Sequence, residues 1–502
     1  MKKNVMKTLS IVFILTVISK VLGLLRDIVF ARYYGTGMEA TAYFTSIKIP
    51  TQIVDIVLSS SIVSVFIPVF NELLQKNGKD VANKFANNFI NIIAIISTLI
   101  SIIGIIFAPQ IVSVIASGFD EPTHLLTTEL IRITFPMIIF TALAFSFVGL
   151  LQSYGEFNVP AGISALSNLV IILFLILFSS KTGIHGVAYA MVFAWALQLL
   201  IQLPFAKKFG YKFSFKTNFH DENLKKVFKL SIPILISTAV LPINNLVSLN
   251  FASGMGESSV SALEYAYKLY VVIYGIFSYA VGNIIFPSLS REGTKEDKEE
   301  YKGIINRSVK LLSFLLIPLT FGIIIYSKDI IKIIYERGEF TAESTMLTSQ
   351  ALLFYAIGIF GAGLVEIMNK SFYARQDTKT PLFVGTGMII INYFLCYLLG
   401  NTSLNYGGLA LATALVTIIN ALVLYIIQNI KIKGLLTKDN LIHLSKIVIS
   451  TLLMSLLVIV FNKYAVNIND YLRVIVGAGI GIITYFVVTL LLKVNEFRFE
   501  KN

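Results

Sequence analysis

Apolar stretches long enough to cross a bilayer recur down the whole 502-residue chain, and they constrain its fold more than any other feature. About 20 helical residues span the ~30 Å hydrocarbon core. Such stretches lie near residues 8–33, 41–73, 85–111, 126–152, 159–179, 184–206, 229–252, 261–289, 304–327, 343–369, 380–399, 406–429, 441–462 and 471–492. Inside hydrocarbon every backbone polar group must be satisfied by the chain itself, which leaves helices or a closed barrel. No ten-residue alternation of apolar and polar residues suggests a barrel. The sequence therefore predicts an all-α polytopic membrane protein with fourteen transmembrane helices. Pro50, Pro136, Pro233, Pro242 and Pro318 interrupt several spans, which membrane helices tolerate when neighbours re-satisfy the freed backbone. Composition agrees: 56% of residues are hydrophobic and 14% charged, against about 45–50% and 25% in soluble domains. A soluble enzyme and a disordered chain are both excluded. The single cysteine, Cys396, excludes a disulfide framework and a cysteine-cluster metal site.

The net charge of +13 suggests a nucleic-acid partner until the positions of the cations are mapped. With a cytoplasmic N-terminus, inside segments hold Lys2, Lys3 and Lys7; Lys76, Lys79 and Lys84; the loops Lys207–Lys229 and Arg291–Lys310; Lys370, Arg375 and Lys379; Lys431–Lys446; and the tail. Outside segments hold only Lys181, Lys328, Lys332, Arg337, Lys463 and Arg473. This bias follows the positive-inside rule and puts both termini in the cytoplasm, with no nucleic-acid partner. The opening MKKNVMKTLSIVFILTVIS has the basic start of a secretory signal. No small-residue cleavage site follows it, and the apolar run continues to Leu25, so the first span is expected to remain.

Three features recur at an offset of about 220 residues, as expected of parallel transporter repeats. Lys48 and Pro68 are matched by Lys268 and Pro287, and Phe66 by Phe286. The segment Tyr154–Pro160 is matched by Arg375–Pro381. The offset spans six helices, so both copies enter the membrane in the same sense. The expected organisation is two pseudo-symmetric six-helix lobes, residues 1–223 and 224–434, followed by two C-terminal helices in 435–502. A substrate site is expected between the lobes.

Six cations fall inside spans: Lys20, Arg26, Arg32, Lys48, Arg132 and Lys268. Burying such a charge at a helix centre costs about 2.5–3.5 kcal/mol on insertion scales. Arg32 and Arg132 are near helix ends and can snorkel to the interface. Lys20 is about 20 Å into the first span, too deep to snorkel easily. Asp27 shares a helical stripe with Lys20 and Gly23, and two roles are open to it. It pairs with Arg26 or Lys20 simply to weld the bundle, or it supports a functional site. Counting Asp27, Asp55 and Glu264 against the cations still leaves a positive interior, which suits an anionic, phosphate-bearing substrate.

No H-E-x-x-H, G-x-S-x-G or Walker loop is present, and His124, His185, His220 and His443 are scattered in loops or at helix ends. Transport without an ATPase motif draws on an ion gradient, the membrane potential or substrate supply. A drug/cation antiporter would need an acidic, aromatic cavity, and a scaffold would not explain mid-membrane cations. A membrane glycosyltransferase would need clustered carboxylates. The acidic group Glu296, Asp297, Glu299 and Glu300 is interleaved with lysines and reads as a solvated linker.

Ser19–Asp27, Ala31–Met38 and Lys48-Ile49-Pro50 resemble the opening of the MurJ (MviN) family of lipid II flippases, within the multidrug/oligosaccharidyl-lipid/polysaccharide exporter superfamily. The likeness continues through Ile133–Pro136, Gln202-Leu203-Pro204, Phe286–Ser290, Gly338–Thr341 and Phe372–Pro381. The resemblance implies a flippase, not an enzyme, in the bacterial plasma membrane. It would carry lipid II, an undecaprenyl-pyrophosphate-linked precursor, from the cytoplasmic to the outer leaflet, with the lipid tail in a groove of the last two helices. It implies pyrophosphate contacts from Arg26, Lys20, Lys48 and Lys268, supported by Asp27, Gly23 and Glu264. It implies no cofactor beyond a coupling ion (Na⁺ or H⁺) or the membrane potential. Lys20 and Lys268 stand at the family's arginine positions, Val54-Asp55 replaces an arginine pair, Ser59 a glutamate and Thr41 an aspartate. A paralogue for another undecaprenyl-pyrophosphate-linked polysaccharide is the alternative.

Overall fold

The structure, a computed structural model, describes residues 2–56, 65–293, 295, 297–465 and 467–494. Ser59 and Glu296, named above, lie outside them. Twenty helices account for nearly all the described residues, which form two compact units.

Unit 1 comprises Met1–Ser261 with Arg337–Phe340. Its helices are α1 (Lys2–Tyr34), α2 (Met38–Val54), α3 (Ile67–Asn77), α4 (Lys79–Ile106), α5 (Ala108–Ile115) and α6 (Glu121–Thr134). They continue with α7 (Met137–Ser153), α8 (Asn158–Leu177), α9 (Ser179–Leu200), α10 (Leu203–Lys208), α11 (Glu222–Thr238) and α12 (Val240–Ser253). α1 packs along α8, α8 on α9, and α2 on α6. The core is built on stacked rings: Phe66 lies against Phe70, Phe85 and Phe89, with centroids 5.7, 5.7 and 4.7 Å apart. Phe135 reaches that core because residue 104 is glycine; a Cβ there would sit 1.8 Å from the Phe135 ring.

Unit 2 comprises Ala262–Glu336 and Thr341–Asn502. It contains nearly all of α13 (Ser259–Gly293), with α14 (Glu299–Tyr335), α15 (Ala342–Ile357), α16 (Ile359–Ala374), α17 (Lys379–Gly400), α18 (Tyr406–Ile432), α19 (Lys438–Tyr464) and α20 (Asp470–Leu491). α19 and α20 pack on each other and on α14, where Phe314, Met454 and Tyr485 share a core. Residues 1–223 and 224–434 follow the sequence repeat, whereas compactness groups α11 and α12 with unit 1, because they rest on α2, α4 and α5.

Among the described residues, ten helices or continuous helix pairs are long and apolar enough to cross a membrane, eleven counting α15 and α16, which meet at 45°. Of the remaining expected spans, those near 8–33 and 229–252 are helical too, and the one near 41–73 is helical on both sides of residues 57–64, which lie outside the described residues. α1 covers the first in 33 residues, α2 has 17 residues, and α11 and α12 have 17 and 14.

The internal repeat reappears in local backbone detail at about the same 220-residue offset. Asp120 caps α6 by accepting from Thr123 N, as Thr341 caps α15 by accepting from Ser344 N. Phe107 breaks the run from α4 to α5 at φ −94°, ψ 18°, and Tyr326 kinks α14 at φ −104°, ψ 15°. α7 ends with Glu156 N donating to Leu151 O, and α16 with Asp377 N donating to Phe372 O. Each of those turns needs one residue at positive φ, Gly155 (82°) in the first and Gln376 (58°) in the second.

Candidate functional site

Arg26 and Asp27 are consecutive on α1, and consecutive residues do not face each other on a helix. The Arg26 guanidinium therefore folds sideways to reach its neighbour. Nε and Nη2 donate to Asp27 Oδ1 at 3.2 and 3.0 Å, and Nη1 donates to Asn168 Oδ1 on α8 at 3.1 Å. The Asn168 amide is used at both ends, since its Nδ2 donates to Ser19 O at 3.2 Å. Gly23 faces the same amide: a Cβ there would lie 3.4 Å from Asn168 Nδ2, within van der Waals contact. The Arg26 side chain is 24% exposed and that of Asp27 10%. Asp27 is thus paired with Arg26, an arrangement common to both roles open to it. The pair cancels in formal charge, while the Arg26 guanidinium keeps part of its surface open.

Lys20 is exposed on α1 two turns before Arg26. Lys48 is half-buried on α2, just before the helix-breaking Pro50. Glu264 and Lys268 belong to unit 2, half-buried one turn apart on α13. Unit 1 thus brings together Gly23, Arg26 and Asp27, with Asn168 added, and carries Lys20 and Lys48 separately. Arg32 and Arg132 are exposed, as their positions near span ends predict. His443 departs from its expected place, being buried in the second turn of α19.

Thr41, at a position where the resemblance implies an aspartate, is fully buried. Its hydroxyl donates to Glu257 O at 2.6 Å and lies 3.2 Å from Ser261 Oγ. Val54 is buried and Asp55 exposed.

Sequence reasoning missed three groups. Asn168 is an amide in an otherwise apolar span, a signal of the same kind as an intramembrane charge. Lys370, assigned to a cytoplasmic connection, sits on α16 with its side chain 17% exposed. Its Nζ donates to Asn283 Oδ1 at 2.7 Å and lies 3.4 Å from Glu366 Oε1. Gly282 leaves the space, since a Cβ there would meet Lys370 Cε at 2.8 Å. The third group is a ladder of buried asparagines on α4 that clamps the extended segment 210–218. Asn83 donates to Gly210 O, Asn87 to Lys212 O, Asn91 to Ser214 O and Asn88 to Asn218 O, at 3.2, 2.5, 2.7 and 2.8 Å. In return Ser214 N donates to Asn87 Oδ1 at 3.1 Å and Asn218 N to Asn88 Oδ1 at 2.7 Å. Asn83, Asn87 and Asn91 follow one another at four-residue intervals along one helix face, with Asn88 beside them, a spacing visible in the sequence.

The family profile described as Lipid II flippase MurJ matches residues 30–477. A probable lipid II flippase MurJ of Rickettsia prowazekii (strain Madrid E) is 30% identical over 495 residues, covering 96% of this chain and 97% of its own. A solved lipid II flippase MurJ in an inward closed conformation superposes with a TM-score of 0.83 at 26% identity, covering 96% of this chain and 98% of that one. An inward-facing multidrug resistance MATE family transporter of the MOP superfamily shares the fold at a TM-score of 0.68 and 14% identity, covering 83% and 95%. With the all-helical architecture and the Arg26–Asp27 pair already in hand, a match running from the end of α1 into α20 assigns the chain to the MurJ family of lipid II flippases.

Proposed function

We propose that this chain moves lipid II from the cytoplasmic to the outer leaflet of the bacterial plasma membrane by alternating access, with both termini in the cytoplasm. One observation carries the reading. In a chain of the lipid II flippase family, a permanent cation within a membrane helix, Arg26, is held in place by Asp27 and Asn168 and stays 24% exposed. A guanidinium matches phosphate oxygens in charge and in hydrogen-bond geometry. Lys20, Lys48 and Lys268 would add charge towards the pyrophosphate, while Asp27, Gly23 and Glu264 orient or balance the cations. The undecaprenyl tail would stay in hydrocarbon, with α19 and α20 providing its groove.

The driving force is the membrane potential or a coupling ion, Na⁺ or H⁺. One charge crossing 100 mV is worth about 2.3 kcal/mol. With the interior negative, that favours outward movement of an anionic headgroup and inward return of an empty, positive site. A second reading, another undecaprenyl-pyrophosphate-linked glycan, is favoured by the buried Thr41 hydroxyl and by Val54-Asp55, where the resemblance implies charged residues of a different kind.

The test is complementation of a bacterium depleted of its own lipid II flippase, scored by the amount of inward-facing lipid II. Rescue is expected. Well-expressed, membrane-inserted protein that leaves lipid II facing inward would replace this reading with the second.

A further inference from the structure

Unit 1 contains a cavity of about 1150 Å³ that none of the predicted cations lines. Pockets for drug-sized molecules occupy about 300–1,000 Å³, so this one is large. Its wall is apolar, with Ile95 and Leu99 from α4, Leu143 and Phe147 from α7, and Leu199 from α9. At one end Lys207 and Lys212 enter the lining, and no acidic side chain is among the described residues that form it.

That end is the segment clamped by the asparagine ladder. Along it Lys212 and Lys216 flank Phe213 and Phe215, all four exposed, Phe215 at 87%. The two rings meet edge to face at 4.6 Å. Exposed aromatic rings interleaved with lysines are the chemistry of the bilayer interface, where rings lie at headgroup level and ammonium groups reach the phosphates. From Asn91, the last rung of the ladder, to Leu99 the rise along α4 is about 12 Å. That is most of the roughly 15 Å that one leaflet contributes to the hydrocarbon core. The cavity is thus apolar over the depth of one leaflet, with cations at the level of the phosphates.

We propose that this cavity holds one acyl chain of an anionic glycerophospholipid, whose phosphate meets Lys207 and Lys212 beneath the clamped segment. The clamp explains why the asparagines are needed. Without them an extended stretch carrying two exposed phenylalanines would have no fixed height relative to the cavity. Each lysine near a membrane surface is worth roughly a fivefold preference for anionic lipid, so two set a ceiling of about thirtyfold.

The chain's one tryptophan supplies the readout. Trp195 is one turn before Leu199 on α9 and is native to the sequence. The full-length protein is placed in bilayers in which either phosphatidylglycerol or phosphatidylcholine carries brominated chains, and quenching of Trp195 is titrated. Phosphatidylglycerol is expected to bind at least about threefold more tightly, with the preference shrinking at high salt. The double variant Lys207→Ala/Lys212→Ala removes only exposed side chains and should bring the preference to near unity, with quenching by phosphatidylcholine unchanged. Ala94→Phe, which narrows the cavity, should reduce quenching by both lipids. Equal quenching of the wild type by the two lipids overturns the proposal. So does relief of quenching by a small mole fraction of unbrominated undecaprenyl-pyrophosphate lipid, which would make the cavity a seat for the transported lipid instead.

Discussion

Exchanging Asp27 for Asn and, separately, Arg26 for Ala distinguishes a structural weld from an anion-binding group. Arg26 makes two bonds to Asp27, at 3.2 and 3.0 Å, and one to Asn168 at 3.1 Å. Hydrogen bonds to charged groups contribute about 1.5–3 kcal/mol. With the side chains 24% and 10% exposed, solvent screens part of this, and the low end applies. Asp27→Asn keeps an acceptor but loses the charge, and should cost about 2 kcal/mol. Arg26→Ala removes all three bonds and leaves a buried carboxylate without its guanidinium, for about 3 kcal/mol. At roughly 2 °C per kcal/mol for a unit of this size, Tm should fall by about 4 °C and 6 °C. The informative comparison is the initial rate of lipid II appearance on the outer face of proteoliposomes, normalised to folded protein. Asp27→Asn retains the cation and should stay within about threefold of wild type, since only its orientation is loosened. Arg26→Ala forfeits one phosphate contact and should fall by about tenfold to a hundredfold. Equal normalised rates in the two variants would refute the assignment and leave Arg26 as a weld.

Three further outcomes follow from the geometry. Asn87→Ala removes bonds to Lys212 O, Ser214 N and Tyr211 OH, so tryptic cleavage at Lys212 and Lys216 should accelerate about thirtyfold, while cleavage elsewhere is unchanged. Gln376 occupies a left-handed backbone position, φ 58°, that glycine fills in the matching turn at Gly155; Gln376→Gly should raise Tm by about 2 °C, from about 1 kcal/mol of relieved strain. Burial alone would raise the Asp377 carboxyl, but hydrogen bonds from Lys431 and Thr380 outweigh it and hold the group below the usual carboxylate range. A lowered folded value means stability that is fully present above the unfolded value of about 3.9 and lost as pH falls through the folded one. Asp377→Asn should therefore lower Tm at pH 6 and remove this portion of the acid-side decline, measured by melting curves from pH 3 to 7.

Much of the architecture was legible before any coordinates, because lipid leaves a chain few choices. Apolar run length implied helices, and the recurring Lys–Pro and Tyr154–Pro160 patterns implied two copies of one plan. The matching caps at Asp120 and Thr341, and the matching breaks at Phe107 and Tyr326, show that the repeat reaches down to single backbone angles.

The sequence by itself also determined that charged residues such as Lys20, Arg26 and Asp27 fall within apolar runs, since a charge in an apolar run is visible without a fold. Only the tertiary structure decided which of them are neutralised. Arg26 bonds Asp27, and Asn168, more than a hundred residues away in the chain, takes the third position on its guanidinium. Lys370 left its expected connection for a helix because Asn283, Glu366 and the missing side chain of Gly282 make a polar berth for it. The reason is that run length and periodicity are properties of one helix. Hydrogen-bond partners and the space for them are supplied by another.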